Sequence, residues 1–137
     1  MFSGLLAMML GAGCDSDVIR RGKDMSDLGE RSKTMLSACG PSGAEEDCAA
    51  AIGKNDAPTV PGLLKMVRND LATIEAKHGK LESVKIEVSM PPEPKEDRPG
   101  ATTGLATYGD TQYRFNAVWV QVNGDFALDR WRIAVKP

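Results

Sequence analysis

Histidine is nearly absent from this chain: His78 is the only one in 137 residues. A lone histidine excludes His-rich metal clusters and leaves little for triad-type chemistry, which needs a base with an orienting partner. An excess of one charge is missing too. Lys and Arg number 17 against 19 Asp and Glu, a net of −2. Nucleic-acid binding wants a basic stripe, and polybasic docking on lipid wants clustered Lys and Arg, so neither is indicated. Beyond the first stretch of the chain there is no run of about 20 apolar residues, the length a helical membrane span requires. Glycine-rich phosphate loops and Cys/His/acid groupings at ligand spacing are also lacking. These residues lead us to expect no catalytic set, no metal site and no cofactor.

What is present begins at the N-terminus. Phe2 to Ala12 carries no charge and is rich in Leu and Met. Such a run is too short to span a bilayer as a helix but suits the apolar region of a secretory signal. Small residues Gly11, Ala12 and Gly13 follow, as a peptidase needs when it threads extended backbone through a narrow site, and then comes Cys14. The first basic residue is Arg20, so the basic flank usual ahead of such a run is missing. Leu10-Gly11-Ala12-Gly13-Cys14 resembles the lipobox of bacterial lipoproteins. That resemblance implies a signal peptide over residues 1–13 and a mature chain starting at Cys14. It also implies acyl chains on Cys14 that hold the protein to the cell membrane, facing the periplasm or exterior. Acyl anchoring is worth ~0.8 kcal/mol per buried methylene, and more than one chain makes it stable. Asp15 resembles the signal that retains Gram-negative lipoproteins in the inner membrane.

Cys39 and Cys48 then remain as an even pair, which in an exported chain suggests a disulfide. Between them, Gly40-Pro41-Ser42-Gly43 is turn material able to bring the ends together. The spacing is far from the redox-active Cys-x-x-Cys pattern.

From Cys14 onward we expect one α+β domain over 14–137, helical over 14–60 and helix plus sheet over 61–137. Val18, Met25, Leu28, Met35 and Cys39 recur on one face of a helix over Ser16–Cys39, widened by Ile19 and Leu36. Ala44 to Ile52 reads as a short second helix, with Glu45, Glu46 and Asp47 in the first turn where the dipole favours anions. Lys54 to Val60 reads as a loop, and Pro61 fits the first position of a third helix. Leu63, Leu64, Val67, Leu71 and Ile74 form that helix's buried face, and Gly79 caps its end. The period then changes to two. Val84, Ile86, Val88 and Met90 alternate with Lys85, Glu87 and Ser89, which predicts a strand with one wet face. Pro91 to Gly100 reads as an exposed, mobile loop. Strands are expected over Thr102–Tyr108 and Gln112–Val122, joined at Gly109-Asp110. Asn123-Gly124 signals a tight hairpin into a last strand, Asp125–Val135. Its apolar residues change phase between Leu128 and Trp131, which calls for a bulge near Asp129-Arg130 or a turn placed there instead.

Helices followed by antiparallel strands indicate N-terminal helices packed on a curled sheet of about four strands. From Leu63 onward, a helix closing on His78-Gly79-Lys80-Leu81-Glu82-Ser83 runs straight into a strand, and the chain ends on a Trp131-Arg132-Ile133 strand. This resembles small bacterial lipoproteins of the nuclear-transport-factor-2-like superfamily. The resemblance implies a cystatin-like sheet curled into a cone around helices, with an apolar pocket inside it.

Tyr108, Tyr113, Phe115, Trp119, Phe126 and Trp131 all fall in the sheet half, as pocket lining on one reading and as core on the other. Enzymes on such folds use an Asp or His inside the cone. His78 sits at a helix end, Asp125 beside a turn and Asp129 near the phase change. Arg114, Arg130 and Arg132 would share one face if the strands pair as drawn and could meet an anionic partner. The expectation is a membrane-anchored, non-catalytic binding or accessory module of the cell envelope, with lipid on Cys14 and an envelope protein as partner. A small-molecule carrier with an unknown ligand, or a pocket enzyme, are the alternatives.

Overall fold

The computed structural model describes residues 2–55 and 61–137, with side chains described from Arg20 onward. Three helices precede a four-stranded sheet: α1 (Phe2–Ala38), α2 (Glu45–Ile52), α3 (Leu63–His78), β1 (Leu81–Met90), β2 (Gly100–Tyr108), β3 (Thr111–Val122) and β4 (Asp125–Val135). Every strand is antiparallel to its neighbour, in the order β1-β2-β3-β4, and the sheet curls without closing. The expected α+β class is what the chain adopts.

The strands show why one face is dry. On β3, Tyr113, Phe115, Ala117 and Trp119 are buried while Arg114 and Asn116 are exposed, the alternation that a half-covered sheet imposes. Pairing carries this inner face across to Ala106 and Gly104 on β2 and to Val84 and Ile86 on β1. On β4 it continues through Leu128, Trp131 and Ile133. At Gly104 a Cβ would lie 2.2 Å from the Lys85 carbonyl oxygen and 2.9 Å from the Phe115 ring. Only glycine lets that ring lie across the strand. The helices cover this face with Leu28, Met35, Leu36, Val67, Leu71 and Ile74.

The turn chemistry matches its residues. Asn123 (φ 52°) and Gly124 (φ 82°) both take positive φ between the paired Val122 and Asp125, as a type I′ hairpin requires. Asp129 is the extra residue of β4: Val118 faces Arg130, and Trp119 faces Leu128. The phase change is therefore a bulge, and the alternative turn at Asp129-Arg130 falls away.

Several expectations are corrected. The third helix starts at Leu63, not Pro61: Gly62 adopts a left-handed conformation (φ 74°) at the N-cap, so Pro61 lies in the preceding turn. Helix α1 runs from Phe2, not Ser16, and its described apolar stripe omits Met25, which is 42% exposed. The alternation on β1 breaks before Met90. Ile86 pairs with Gly104 but Val88 with Thr103, so Glu87 is bulged out and the phase inverts. Ser89 then faces α1, where its hydroxyl donates to the Met25 carbonyl, and Val88 and Met90 turn to the opposite face. The segment after β1 is an organised turn. It holds a 3-10 turn at Pro94–Glu96, a bridge between Glu93 and Arg98, and ion pairs of Glu93 with Arg98 and with Arg21 of α1. Of the expected Lys54–Val60 loop, residues 56–60 lie outside the described residues.

Cys39 and Cys48 form a disulfide, with Cα atoms 4.5 Å apart. It joins the end of α1 to α2, and both cysteines are fully buried. Earlier on α1, a buried polar chain ties the helix to the sheet. The Trp119 indole N–H donates to Thr102 Oγ1 at 3.0 Å. Ser32 uses its own proton on the Leu28 carbonyl at 3.1 Å, so Thr102 donates to Ser32 Oγ at 2.7 Å.

Two measurements follow. Thr102→Val keeps the shape but leaves the Trp119 indole unpaired, and should cost about 1–3 kcal/mol in denaturant titration. Breaking the disulfide by Cys39→Ala with Cys48→Ala should cost about 2.5–3 kcal/mol, and reductant should then have no further effect.

Candidate binding face

The sheet has a second face, which none of the described helices covers. Residues that pair side by side point the same way, so the register defines this outer face by rows. One row is Met90, Ala101, Val118 and Arg130. The next is Val88, Thr103, Asn116 and Arg132, and the third is Lys85, Leu105, Arg114 and Ala134. The three arginines named from the sequence therefore share one face, joined by Lys85. All four cations are exposed. Arg114 is ion-paired with Glu87, and Arg130 Nε lies 3.9 Å from Asp129. Val88 (46%) and Met90 (48%) are exposed beside them, delivered there by the bulge at Glu87.

The aromatic residues take the other face. Tyr108, Phe115 and Trp119 are fully buried, Tyr113 and Trp131 nearly so, and Phe126 packs half-buried against them. Trp131 donates its indole N–H to Asp70 of α3 at 3.0 Å and stacks on Phe115 at a centroid distance of 6.3 Å. A groove of about 750 Å³ runs between α1 and α2, past Thr34, Ser37, Asp47 and Ala50, and none of the six aromatics lines it.

The acids and the histidine divide likewise. Asp125 pairs with Arg31, whose guanidinium also donates to the carbonyls of Ala50, Ala51 and Phe126 and so joins α1, α2 and β4. Asp129 accepts from the Asn55 amide at 3.3 Å. His78 Nε2 lies 2.9 Å from the Tyr113 hydroxyl, with the rings edge to face. Tyr113 meets Tyr108 edge-on as well. The Tyr108 hydroxyl is buried with no hydrogen-bond partner among the described residues. Desolvation and then the nearby Glu75 carboxylate push the phenol well above its usual range. Glu75 itself is raised above the ordinary carboxylate value by desolvation, against the pull of Lys80. Tyr108 is among the aromatics singled out from the sequence, but Glu75 beside it is not. Glu75 occupies an ordinary polar helix position, and only the packing of α3 on the sheet brings the two together.

Cys14 lies within the backbone of α1, but its side chain is outside those described. Among the described residues no three His, Cys, Asp or Glu side chains are placed to hold a metal ion, and no helix is long and apolar enough to cross a membrane.

Glu75 sets a pH signature. Its folded value lies above the unfolded 4.5, so below 4.5 both states are protonated and the group costs nothing. As pH rises, the unfolded chain ionises first and stability falls, levelling off above the folded value. Glu75→Gln should therefore raise stability at neutral pH relative to the native chain. The gain should vanish below the unfolded value, as read by urea titration across that range.

Comparison with protein-family models, with curated proteins and with solved structures gives no match to this chain.

Proposed function

We propose that this chain is a lipid-anchored module of a bacterial cell envelope, tethered through Cys14 and acting by binding. The observation that carries the reading is the run Phe2–Gly13, uncharged and ending in three small residues, directly before Cys14. The Cys39–Cys48 disulfide supports it, because such bonds persist in oxidising compartments outside the cytoplasm. Helices followed by an antiparallel curled sheet support the likeness to lipoproteins of the nuclear-transport-factor-2-like superfamily. Asp15 supports retention in the inner membrane of a Gram-negative cell.

Binding is preferred to catalysis because of how the two faces are used. The inner face carries the aromatic residues, and these are packed as core. Side chains with reactive potential are engaged structurally: His78 with Tyr113, Asp125 with Arg31, Asp129 with Asn55. The outer face is left for a partner, with an envelope protein as the kind of molecule we have in mind. Proteins that meet such a partner present large side chains around a partly apolar surface, as Val88, Met90 and the arginines do.

The anchor is tested by metabolic labelling with an alkyne fatty acid in cells producing the native chain or its Cys14→Ser form. We expect label on the native chain only, and release of the Cys14→Ser form from the membrane fraction. Equal labelling of both forms would refute the anchor.

A further inference from the structure

The outer face has a charge of its own. Its three central rows carry four cations, Lys85, Arg114, Arg130 and Arg132, and no acid, while Glu87 and Asp129 stand at the two bulges beside them. Both of these acids are already engaged: Glu87 holds Arg114, and Asp129 accepts from the Asn55 amide and lies 3.9 Å from Arg130 Nε. The chain as a whole is at −2, so positive charge is concentrated here against the trend of the molecule. Arg130 and Arg132 stand on the same side of β4, two residues apart, which sets their Cα atoms roughly 7 Å apart along the strand. Alternate side chains of any extended peptide repeat at that same spacing. Val118 and Met90 share a row with Arg130 and supply apolar ground beside the cations.

From this geometry we infer that the outer sheet face binds an extended, acidic protein segment with carboxylates at alternate positions, seated over Arg130 and Arg132. A second copy of this chain is the wrong occupant, because it would bring the same arginines face to face. The inference deepens the binding reading above and does not depend on the lipid.

The test uses the full chain in zwitterionic detergent and a fluorescein-labelled peptide of alternating Glu and Ser, with a Gln-Ser peptide as control, followed by anisotropy. The Glu-Ser peptide should bind and the Gln-Ser peptide should not, and added salt should weaken the binding. Arg130→Glu with Arg132→Glu should weaken it by about tenfold or more. Lys65→Glu, on the first turn of α3, should leave it within about twofold. Circular dichroism checks that each variant is folded. Three results would overturn the inference: equal binding of both peptides, equal loss from the Lys65 and arginine variants, or arginine-dependent binding to phosphatidylglycerol vesicles without peptide binding. Fatty-acid labelling reads only Cys14, so a failed peptide assay and a failed anchor are told apart.

Discussion

Ser32, Thr102 and Trp119 form a single directed chain of hydrogen bonds through an otherwise apolar interface, and the arrangement of helices on sheet depends on it. Apolar packing alone is indifferent to small slides of α1 along the sheet. The chain is not, because one step of slip strands the indole N–H in a dry core. The preceding residue, Arg31, does the same at the periphery, where one guanidinium meets carbonyls of α2 and β4. Two adjacent polar residues of α1 thus fix the helix in register, with the disulfide closing its far end onto α2.

With α1 held there, the use of the two sheet faces follows. The aromatic side chains of β2, β3 and β4 meet the apolar stripes of α1 and α3, and the concave side becomes core. What the fold leaves accessible is the convex side, where bulges at Glu87 and Asp129 decide which residues appear. Without the first, Val88 and Met90 would point inward. Without the second, β4 would keep a single phase, and either Leu128 or Trp131 would leave the core. The binding surface is in this sense a by-product of two irregularities in strand pairing.

Those irregularities also mark what could be read from the amino-acid order. The Asp129 bulge was legible because its flanking apolar residues change phase in the sequence itself. The Glu87 bulge was not, because Val84-Lys85-Ile86-Glu87-Val88-Ser89-Met90 alternates without a fault. The inversion comes from α1 lying across the end of β1, where Ser89 can reach the Met25 carbonyl. Nor was the exposure of Met25 legible, since it stands in phase with the buried Leu28 and Met35. The disulfide and the Asn123-Gly124 hairpin were legible because local chain chemistry determines them. Pro61 misled for a comparably local reason: Gly62 supplies a left-handed cap that delays the helix to Leu63. As for the face itself, the three arginines were visible in sequence, but their company with Lys85 required the register of all four strands.

The hydrogen bonds along β4 have a further consequence. Val122 and Asp125 exchange both backbone bonds at the hairpin, so Phe126 and Leu128 turn their carbonyls to the open edge of the sheet. There the Arg31 guanidinium occupies the first at 3.0 Å and the Asn55 amide the second at 3.3 Å. The helical part of the chain therefore shields a strand edge that would otherwise template pairing with another molecule. Loosening the helices would uncover that edge together with the apolar inner face they cover, and so open β4 to pairing with another molecule.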